Sequence, residues 1–262
     1  MAKSPPSLLL SFDFDGTLID PHSDMSFHPA MADMLREFKS RGAVWVVNTG
    51  RTLSHTLEGL AQHNIFMLPD YIIAQECEIY CQGFFTAWKD FGSWNRKARH
   101  AHNCFVDKHR DFLSEIEDHL RNGTQAMYLN GGIGQVGIVA STDEELDVIC
   151  EFIEVKRSKL PDIGYNRNGR YLRFCHVDYS KGTALQELSR LLNIRPERIF
   201  AAGDNHNDLS MLNPRIAGNI ACPSNALDPV KQHLQLHGGY IASKPASEGM
   251  MEALQHFFLR RS

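Results

Sequence analysis

The chain has 262 residues, 43% hydrophobic and 22% charged, enough apolar material for one large domain or two modest ones, each with its own core. Its formal charge of −4 supplies no net basic field for a polyanion, which argues against a nucleic-acid partner held through phosphate contacts. The densest basic stretch, Arg96, Lys97, Arg99 and His100, is short and reads as a solvated loop or helix start. No apolar stretch is long enough to span a bilayer, and the early run Leu8, Leu9, Leu10 is ended by Asp13 and Asp15 too soon for a signal peptide. No membrane partner is expected, and the expected location is cytoplasmic. The six cysteines lack the paired spacings of a zinc site or disulfide framework and read as reduced thiols. The 13 histidines are dispersed, and His100 with His102 has no Cys or carboxylate partner at ligand spacing.

In chain order, residues 7–12 read as a continuous apolar strand, the pattern of a sheet covered on both faces. Pro29 suits a first helical position, Met31, Met34, Leu35 and Phe38 form the inward stripe, and Gly42 ends the helix. A strand over 43–47, a helix over 53–60 and a strand over 71–74 complete a βαβαβ run, which predicts a parallel, right-handed, doubly wound sheet. After about Tyr80 the pattern changes to a strand over 84–88 and a helix over 106–120, then strands over 125–129 and 135–140 joined by the turn Asn130, Gly131, Gly132. Ser141 and Glu144 have capping-box spacing ahead of a helix with Leu146, Ile149, Cys150 and Ile153 inward. Strands over 163–165 and 171–177 flank an Asn168, Gly169 hairpin turn. Alternation resumes with a helix over 182–192, a strand over 199–202, a short helix near Leu209, a strand over 216–220 and a last helix over 248–259. Two domains follow: an α/β core from 1–83 and 178–262, and an α+β unit over 84–177 inserted into it.

Three core strands run into small polar clusters: Asp13-Phe14-Asp15-Gly16-Thr17-Leu18, Asn48-Thr49-Gly50-Arg51 and Gly203-Asp204-Asn205-His206-Asn207-Asp208. Ligands of open α/β sheets bind beyond the carboxyl ends of the strands, so the three clusters form one site. Asp13 and Asp15 project on the same side if the backbone stays extended, and Asp204 and Asp208 add to the charge. Such a cluster repels itself unless a cation neutralises it, and an oxygen-only ligand set suits Mg²⁺, which also favours substrate phosphates. Lys181 follows Ser180, which reads as an N-cap, and so stands where the helix dipole disfavours a cation. Either function offsets that choice or the lysine leans away into water.

The ordered motifs DFDGTL at 13–18, NTGR at 48–51, SKG at 180–182 and GDNHND at 203–208 resemble those of the haloacid dehalogenase (HAD) superfamily of phosphohydrolases. The resemblance covers the whole chain. The insertion lies between the second and third motifs, where Cof-like, sucrose-phosphate and mannosyl-phosphoglycerate phosphatases carry a large α/β cap. It implies a Rossmann-like doubly wound parallel sheet with an inserted α+β cap, and a Mg²⁺-dependent phosphatase acting on a small phosphorylated substrate such as a sugar phosphate. It further implies that Asp13 is the nucleophile that forms an aspartyl phosphate, and that Asp15 protonates the leaving oxygen and later activates water. Thr49 and backbone amides near Gly16 and Gly50 would hold phosphoryl oxygens, and Lys181 would balance charge between Asp13 and the phosphate. The metal would lie on Asp13, Asp204, Asp208 and the main-chain carbonyl of Asp15. Asn207 would orient the phosphoryl group or the nucleophile, and Arg51 is a substrate clamp or a structural ion pair. Many relatives carry Asn-Gly after the third strand, whereas this chain has Ala74-Gln75-Glu76-Cys77-Glu78, which puts substrate preference in question. Ser224-Asn225-Ala226 and Ser247-Glu248-Gly249 match late family loops, although a turn and a helix cap suffice to explain them. Arg167, Asn168, Arg170 and the turn near Asn130 are candidates for reading the leaving group. A phosphomutase or phosphotransferase would use the same motifs, and a non-enzymatic signalling module phosphorylated on Asp13 is the alternative from another class. Nothing in the sequence fixes an oligomeric state.

Overall fold

The computed structural model describes residues 6–20, 23, 26–83, 87–130 and 136–259. Two compact units emerge, residues 1–95 with 181–262, and residues 96–180.

The first unit opens with β1 (Leu9–Phe12), α1 (Pro29–Ser40), β2 (Val44–Asn48), α2 (Leu53–Gln62), β3 (Tyr71–Ala74), β4 (Glu78–Gln82) and β5 (Trp88–Asp90). The start of α3 (Trp94–Lys108) leads into the second unit, made of the rest of α3, α4 (Arg110–Gly123), β6 (Met127–Asn130), β7 (Val136–Val139), α5 (Asp143–Arg157), β8 (Ile163–Asn168) and β9 (Tyr171–His176). The chain returns through α6 (Lys181–Leu192), β10 (Ile199–Ala202), a 3₁₀ turn over His206–Asp208, β11 (Asn219–Cys222), α7 (Asp228–His237), β12 (Tyr240–Ile241) and α8 (Ala246–Leu254).

The eight-stranded sheet runs β12-β11-β10-β1-β2-β3-β4-β5. β12 through β3 are parallel, and β4 and β5 add an antiparallel edge. The continuous apolar strands have the expected cause. Leu10, Phe12, Trp45, Val47 and Phe200 face a core shared with α1 and α8, while Leu9, Val46, Ile73, Ile199 and Ala201 face one shared with α6 and α7. The topology also fixes where a ligand can bind. The chain steps from β1 out to β3 on one side and, after the second unit, from β10 out to β12 on the other. The switch point therefore lies between β1 and β10, the place where a parallel sheet opens a crevice.

The second unit is a four-stranded antiparallel sheet, β6-β7-β9-β8, with α4 and α5 packed through Phe112, Ile116, Leu120, Leu146, Ile149 and Ile153. This α/β core with an inserted α+β domain is the expected fold class. The expected 84–177 boundaries need correction to 96–180, because β5 pairs with β4 and Asn95 is tied to that strand. Its Oδ1 accepts from the Ile79 amide at 2.7 Å and its Nδ2 donates to the Ile79 carbonyl at 2.9 Å. The expected strand over 84–88 and the Gly131, Gly132 turn fall partly on residues outside those described.

Other local readings shift for identifiable reasons. The single helix over 106–120 is two helices that meet at His109, whose ring is buried against Asp162. The N-cap of α5 is Thr142, which accepts from the Glu145 amide at 3.1 Å, while Glu145 reaches back to the Ser141 amide at 2.7 Å. The cap is thus one residue later than Ser141, and the return bond from Glu145 goes to the residue before the cap rather than to the cap itself, so the expected Ser141–Glu144 box is replaced by this arrangement. The strand expected over 216–220 is β11, and β4, α7 and β12 were not foreseen. Among the described residues, no helix is long and apolar enough to cross a membrane. All six cysteines are free thiols; Cys77, Cys175 and Cys222 are buried and Cys104 is exposed.

Candidate active site

The first cluster leaves β1 at Asp13, whose amide donates to the Ala202 carbonyl at 2.9 Å and so continues the β1–β10 pairing. The turn that follows depends on Gly16, which has φ +78; a Cβ there would lie 2.5 Å from Asp204 Oδ2, so no other residue fits. Thr17 Oγ1 donates to Asp204 Oδ1 at 2.7 Å, tying the loop after β1 to the loop after β10. Asn225 closes the arrangement from a third side. Its Nδ2 donates to the Gly16 carbonyl at 2.7 Å and its Oδ1 accepts from the Ala246 amide at 3.0 Å.

Lys181 stands at the start of α6, is fully buried, and donates to Asp13 Oδ1 at 2.5 Å and Asp208 Oδ1 at 2.7 Å. Gly182 allows this approach, since a side chain there would run into the Ser210 carbonyl. Asn48 Nδ2 holds the Lys181 carbonyl at 3.2 Å. The second oxygen of Asp208 accepts from the amides of Asp204 and Asn205, both at 2.9 Å. Every carboxylate oxygen of Asp208 is thus engaged.

Asp13, Asp204 and Asp208 each offer an oxygen within 4.8 Å of the others. One ammonium faces three acids, and the electrostatics follow from that imbalance. Burial would lower the Lys181 pKa, but Asp13, Asp208 and Glu76 outweigh it and hold it above the ordinary lysine value. Burial pushes the Asp13 carboxyl well up, against the opposing pull of Lys181, with Asp208 and Asp204 adding to the rise. Asp204 is pushed up to about 7, by burial first and Asp208 second, with the Thr17 hydrogen bond opposing. A buried, oxygen-only set with surplus negative charge fits a hard divalent cation.

Asp15 does not join this trio. Its carboxylate is gripped bidentately by Arg51, Nε to Oδ2 at 2.7 Å and Nη2 to Oδ1 at 2.6 Å, and the guanidinium also lies 4.9 Å from the centre of the Phe14 ring. Of the two readings open for Arg51, the ion pair is the one present. Thr49 is buried, and its Oγ1 accepts from the Arg51 amide at 3.1 Å. Asn207 is buried and donates from Nδ2 to Glu76 Oε1 at 2.8 Å, while its Oδ1 has no partner among the described residues. A carboxylate only accepts, so the amide orientation is forced.

Glu76, which lies outside the four motifs, also reaches this centre. It is buried, with φ +65, and Gln75 before it has φ 50. Two consecutive left-handed residues that are not glycine cost on the order of 1–3 kcal/mol each. The available signal was an acidic residue directly past a buried strand at the same sheet edge. Thr17 and Asn225 lie within motifs, but nothing in their local spacing indicates the contacts they make.

The candidates in the second unit are mostly occupied with its own structure. Arg167 pairs with Asp147 and donates to the Asp143 and Gly169 carbonyls, both at 3.2 Å. Arg170 donates to the Ser141 carbonyl at 2.8 Å. The hairpin turn is Gly169 with Arg170, since Asn168 pairs with Tyr171. His102 Nδ1 lies 3.0 Å from the Ala98 carbonyl, and no group of three ligands forms there among the described residues.

Residues 93–254 match the family model described as haloacid dehalogenase-like hydrolase, well over half of the chain. The chain belongs to the haloacid dehalogenase-like hydrolase family. It is a phosphatase of that type, a phosphoric monoester hydrolase acting on a phosphorylated small molecule. Residues 6–91 match the model of sucrose-6F-phosphate phosphohydrolase. The chain is 26% identical to the 5-amino-6-(5-phospho-D-ribitylamino)uracil phosphatase YcsE of Bacillus subtilis, over 96% of each chain. Among solved structures it resembles the sucrose-phosphatase of Synechocystis sp. PCC6803, determined with sucrose and phosphate, at a TM-score of 0.70 and 20% identity over 96% of this chain and 98% of that one. The haloacid dehalogenase-like protein yhjK of Bacillus subtilis gives a TM-score of 0.67 at 16% identity, over 100% of this chain and 95% of that one.

Proposed function

We propose that this phosphatase is Mg²⁺-dependent and hydrolyses a sugar phosphate or similarly small phosphate ester through an acyl phosphate on Asp13. The observation that carries the reading is the buried Lys181 ammonium shared by Asp13 and Asp208 beside Asp204, at the C-terminal ends of β1 and β10. Lys181 fixes Oδ1 of Asp13, and attack on phosphorus is assigned to Oδ2. As that bond forms, the phosphorus–oxygen ester bond breaks and the leaving oxygen takes a proton from Asp15. Water then attacks the phosphorus of the acyl phosphate, gives its proton to Asp15, and restores the Asp13 carboxylate as phosphate departs. Asp15 has to let go of Arg51 to act as the acid, which gives that pair a gating role. Thr49 and the amides near Gly16 and Gly50 hold the phosphoryl oxygens, and Asn207 orients them.

Asp13 and Asp204 would hold Mg²⁺ directly together with the Asp15 main-chain carbonyl, with Asp208 in support because its oxygens are already engaged. When bound, Mg²⁺ offsets the negative charge of the nucleophile and the phosphoryl group. The match of residues 6–91 to the sucrose-6F-phosphate phosphohydrolase model favours a polyhydroxylated leaving group. A screen of sugar phosphates, nucleotides and cofactor phosphates with Mg²⁺ and with EDTA tests the proposal. Turnover of sugar phosphates that EDTA silences and Mg²⁺ restores is expected, whereas full activity in chelator removes the metal.

A thermal shift gives an independent readout. In the metal-free protein Asp13 and Asp204 have raised pKa values, so their contribution to stability is fully present below their unfolded value, about 4, and is lost as pH rises through the raised values, for Asp204 about 7. A divalent cation competes with those protons. The gain in Tm on adding Mg²⁺ is expected to be several degrees at about pH 8 and to shrink at about pH 5.5. An equal gain at both pH values contradicts binding at this cluster.

Arg51→Gln is expected to change stability by less than about 1 kcal/mol, since the ion pair is about one-third exposed. Its effect is expected in the pH dependence of kcat, which stopped-flow or steady-state profiles would read; an unchanged profile would leave the pair structural only.

A further inference from the structure

Asn225 lies in a stretch that a turn is enough to explain by sequence, yet the turn does not use its side chain. Backbone bonds hold the turn, from the Ala226 amide to the Pro223 carbonyl at 3.1 Å and from the Ser224 amide to the Lys244 carbonyl at 2.9 Å. The Asn225 side chain instead engages two remote segments, Nδ2 the Gly16 carbonyl 209 positions away and Oδ1 the Ala246 amide. A carbonyl only accepts and a backbone amide only donates, so this orientation of the side chain is forced. Ala246 presents its amide with φ +39, a region that costs a residue with a Cβ on the order of 1–3 kcal/mol.

What Asn225 holds is the softest point of the loop after β1. Glycine has the widest backbone freedom, and Gly16 stands between Asp15, whose carbonyl is assigned to the metal, and Thr17, whose hydroxyl fixes Asp204 Oδ1. The Gly16 amide is pinned to the Ile19 carbonyl at 2.9 Å, and its carbonyl is pinned by Asn225 at 2.7 Å. Two residues on, the Leu227 amide donates to the Asp204 carbonyl at 3.0 Å. One short segment, 225–227, therefore grips both the loop after β1 and the loop after β10. Asn225 is itself exposed, so its bonds contribute little to global stability.

We propose that Asn225 is a positioning residue for the divalent cation: by fixing Gly16 against the segment that also holds Asp204, it keeps the Asp15 carbonyl and the Asp204 carboxylate in register. The inference rests on the metal reading above.

Asn225→Ala and Asn225→Asp test it together. The first removes both bonds. The second keeps an acceptor for Ala246, loses the donor to Gly16 and adds a negative charge, which by Coulomb attraction alone would tighten cation binding. Mg²⁺ is titrated calorimetrically into the EDTA-stripped full-length proteins near neutral pH. Groups that orient metal ligands typically contribute about 10–100-fold to affinity, so both variants are expected to bind Mg²⁺ on the order of tenfold more weakly. Turnover of p-nitrophenyl phosphate at low Mg²⁺ should fall in step and recover as Mg²⁺ is raised, while the Tm in EDTA drops by no more than about 4 °C. Unchanged Mg²⁺ affinity in either variant, or tighter binding in Asn225→Asp, overturns the role of Asn225 alone. A larger fall in Tm does the same, since it marks a purely structural bond. A wild-type protein that hydrolyses the ester but takes up no Mg²⁺ overturns the metal reading and this one with it.

Discussion

Asp13→Asn is expected to remain folded and to lose at least about 10³-fold in kcat toward any phosphate ester, because the amide cannot form the acyl phosphate. Stability and activity should part company. Burial and the neighbouring acids push the Asp13 carboxyl up, so the charged form is held at a cost in the metal-free protein. A neutral amide removes one of three mutually repelling acids and leaves Lys181 its bond to Asp208. The Tm in EDTA is therefore expected to equal or exceed that of the wild type, while the gain on adding Mg²⁺ shrinks. Thermal melts with steady-state assays check both halves, and retained turnover with deamidation ruled out would remove the covalent route.

Lys181→Ala is expected to abolish turnover as well, but with the opposite sign on stability. It strips the ammonium from Asp13 and Asp208, both buried, and breaking such a pair from one side costs about 3–5 kcal/mol. The cavity left by a fully buried lysine adds to the loss. Because the Lys181 pKa is raised, its contribution is present at every pH below the ordinary lysine value and is lost only above it. Denaturant titration near neutral pH would measure the full effect. Mg²⁺ is expected to recover part of the stability without recovering activity. A Lys181→Ala protein as stable as the wild type in EDTA would mean that the lysine is not the counter-charge of this cluster.

Part of this site can be read from residues alone. The strands were legible because β1, β2 and β10 are apolar on both faces, and the polar clusters at their ends were legible because a switch point gathers them. The proximity of Asp13, Lys181, Asp204 and Asp208 follows from that topology. Pairing partners were not legible. Arg51 reaches Asp15, and Asn207 reaches Glu76 across 131 positions of sequence. Local spacing carries no trace of such contacts, and glutamate has no special tendency toward a left-handed backbone that would mark position 76. The domain boundary was misplaced for a related reason. The edge strands β4 and β5 are only partly buried and carry polar residues along their length, so they lack the apolar run that announces the central strands.

The central claim is that Asp13 takes the phosphorus. The direct measurement uses Asp15→Asn, which should form the intermediate but release it slowly, mixed with a phosphate ester and Mg²⁺, quenched, reduced with borohydride and mapped by peptide mass spectrometry. Borohydride reduces an acyl phosphate to an alcohol, so Asp13 is expected to be recovered as homoserine in a substrate-dependent fraction of the chains, with Asp15→Asn/Asp13→Asn unmodified. Ester hydrolysis with Asp13 recovered intact at every quench time, or reduction at a different carboxylate, would contradict it.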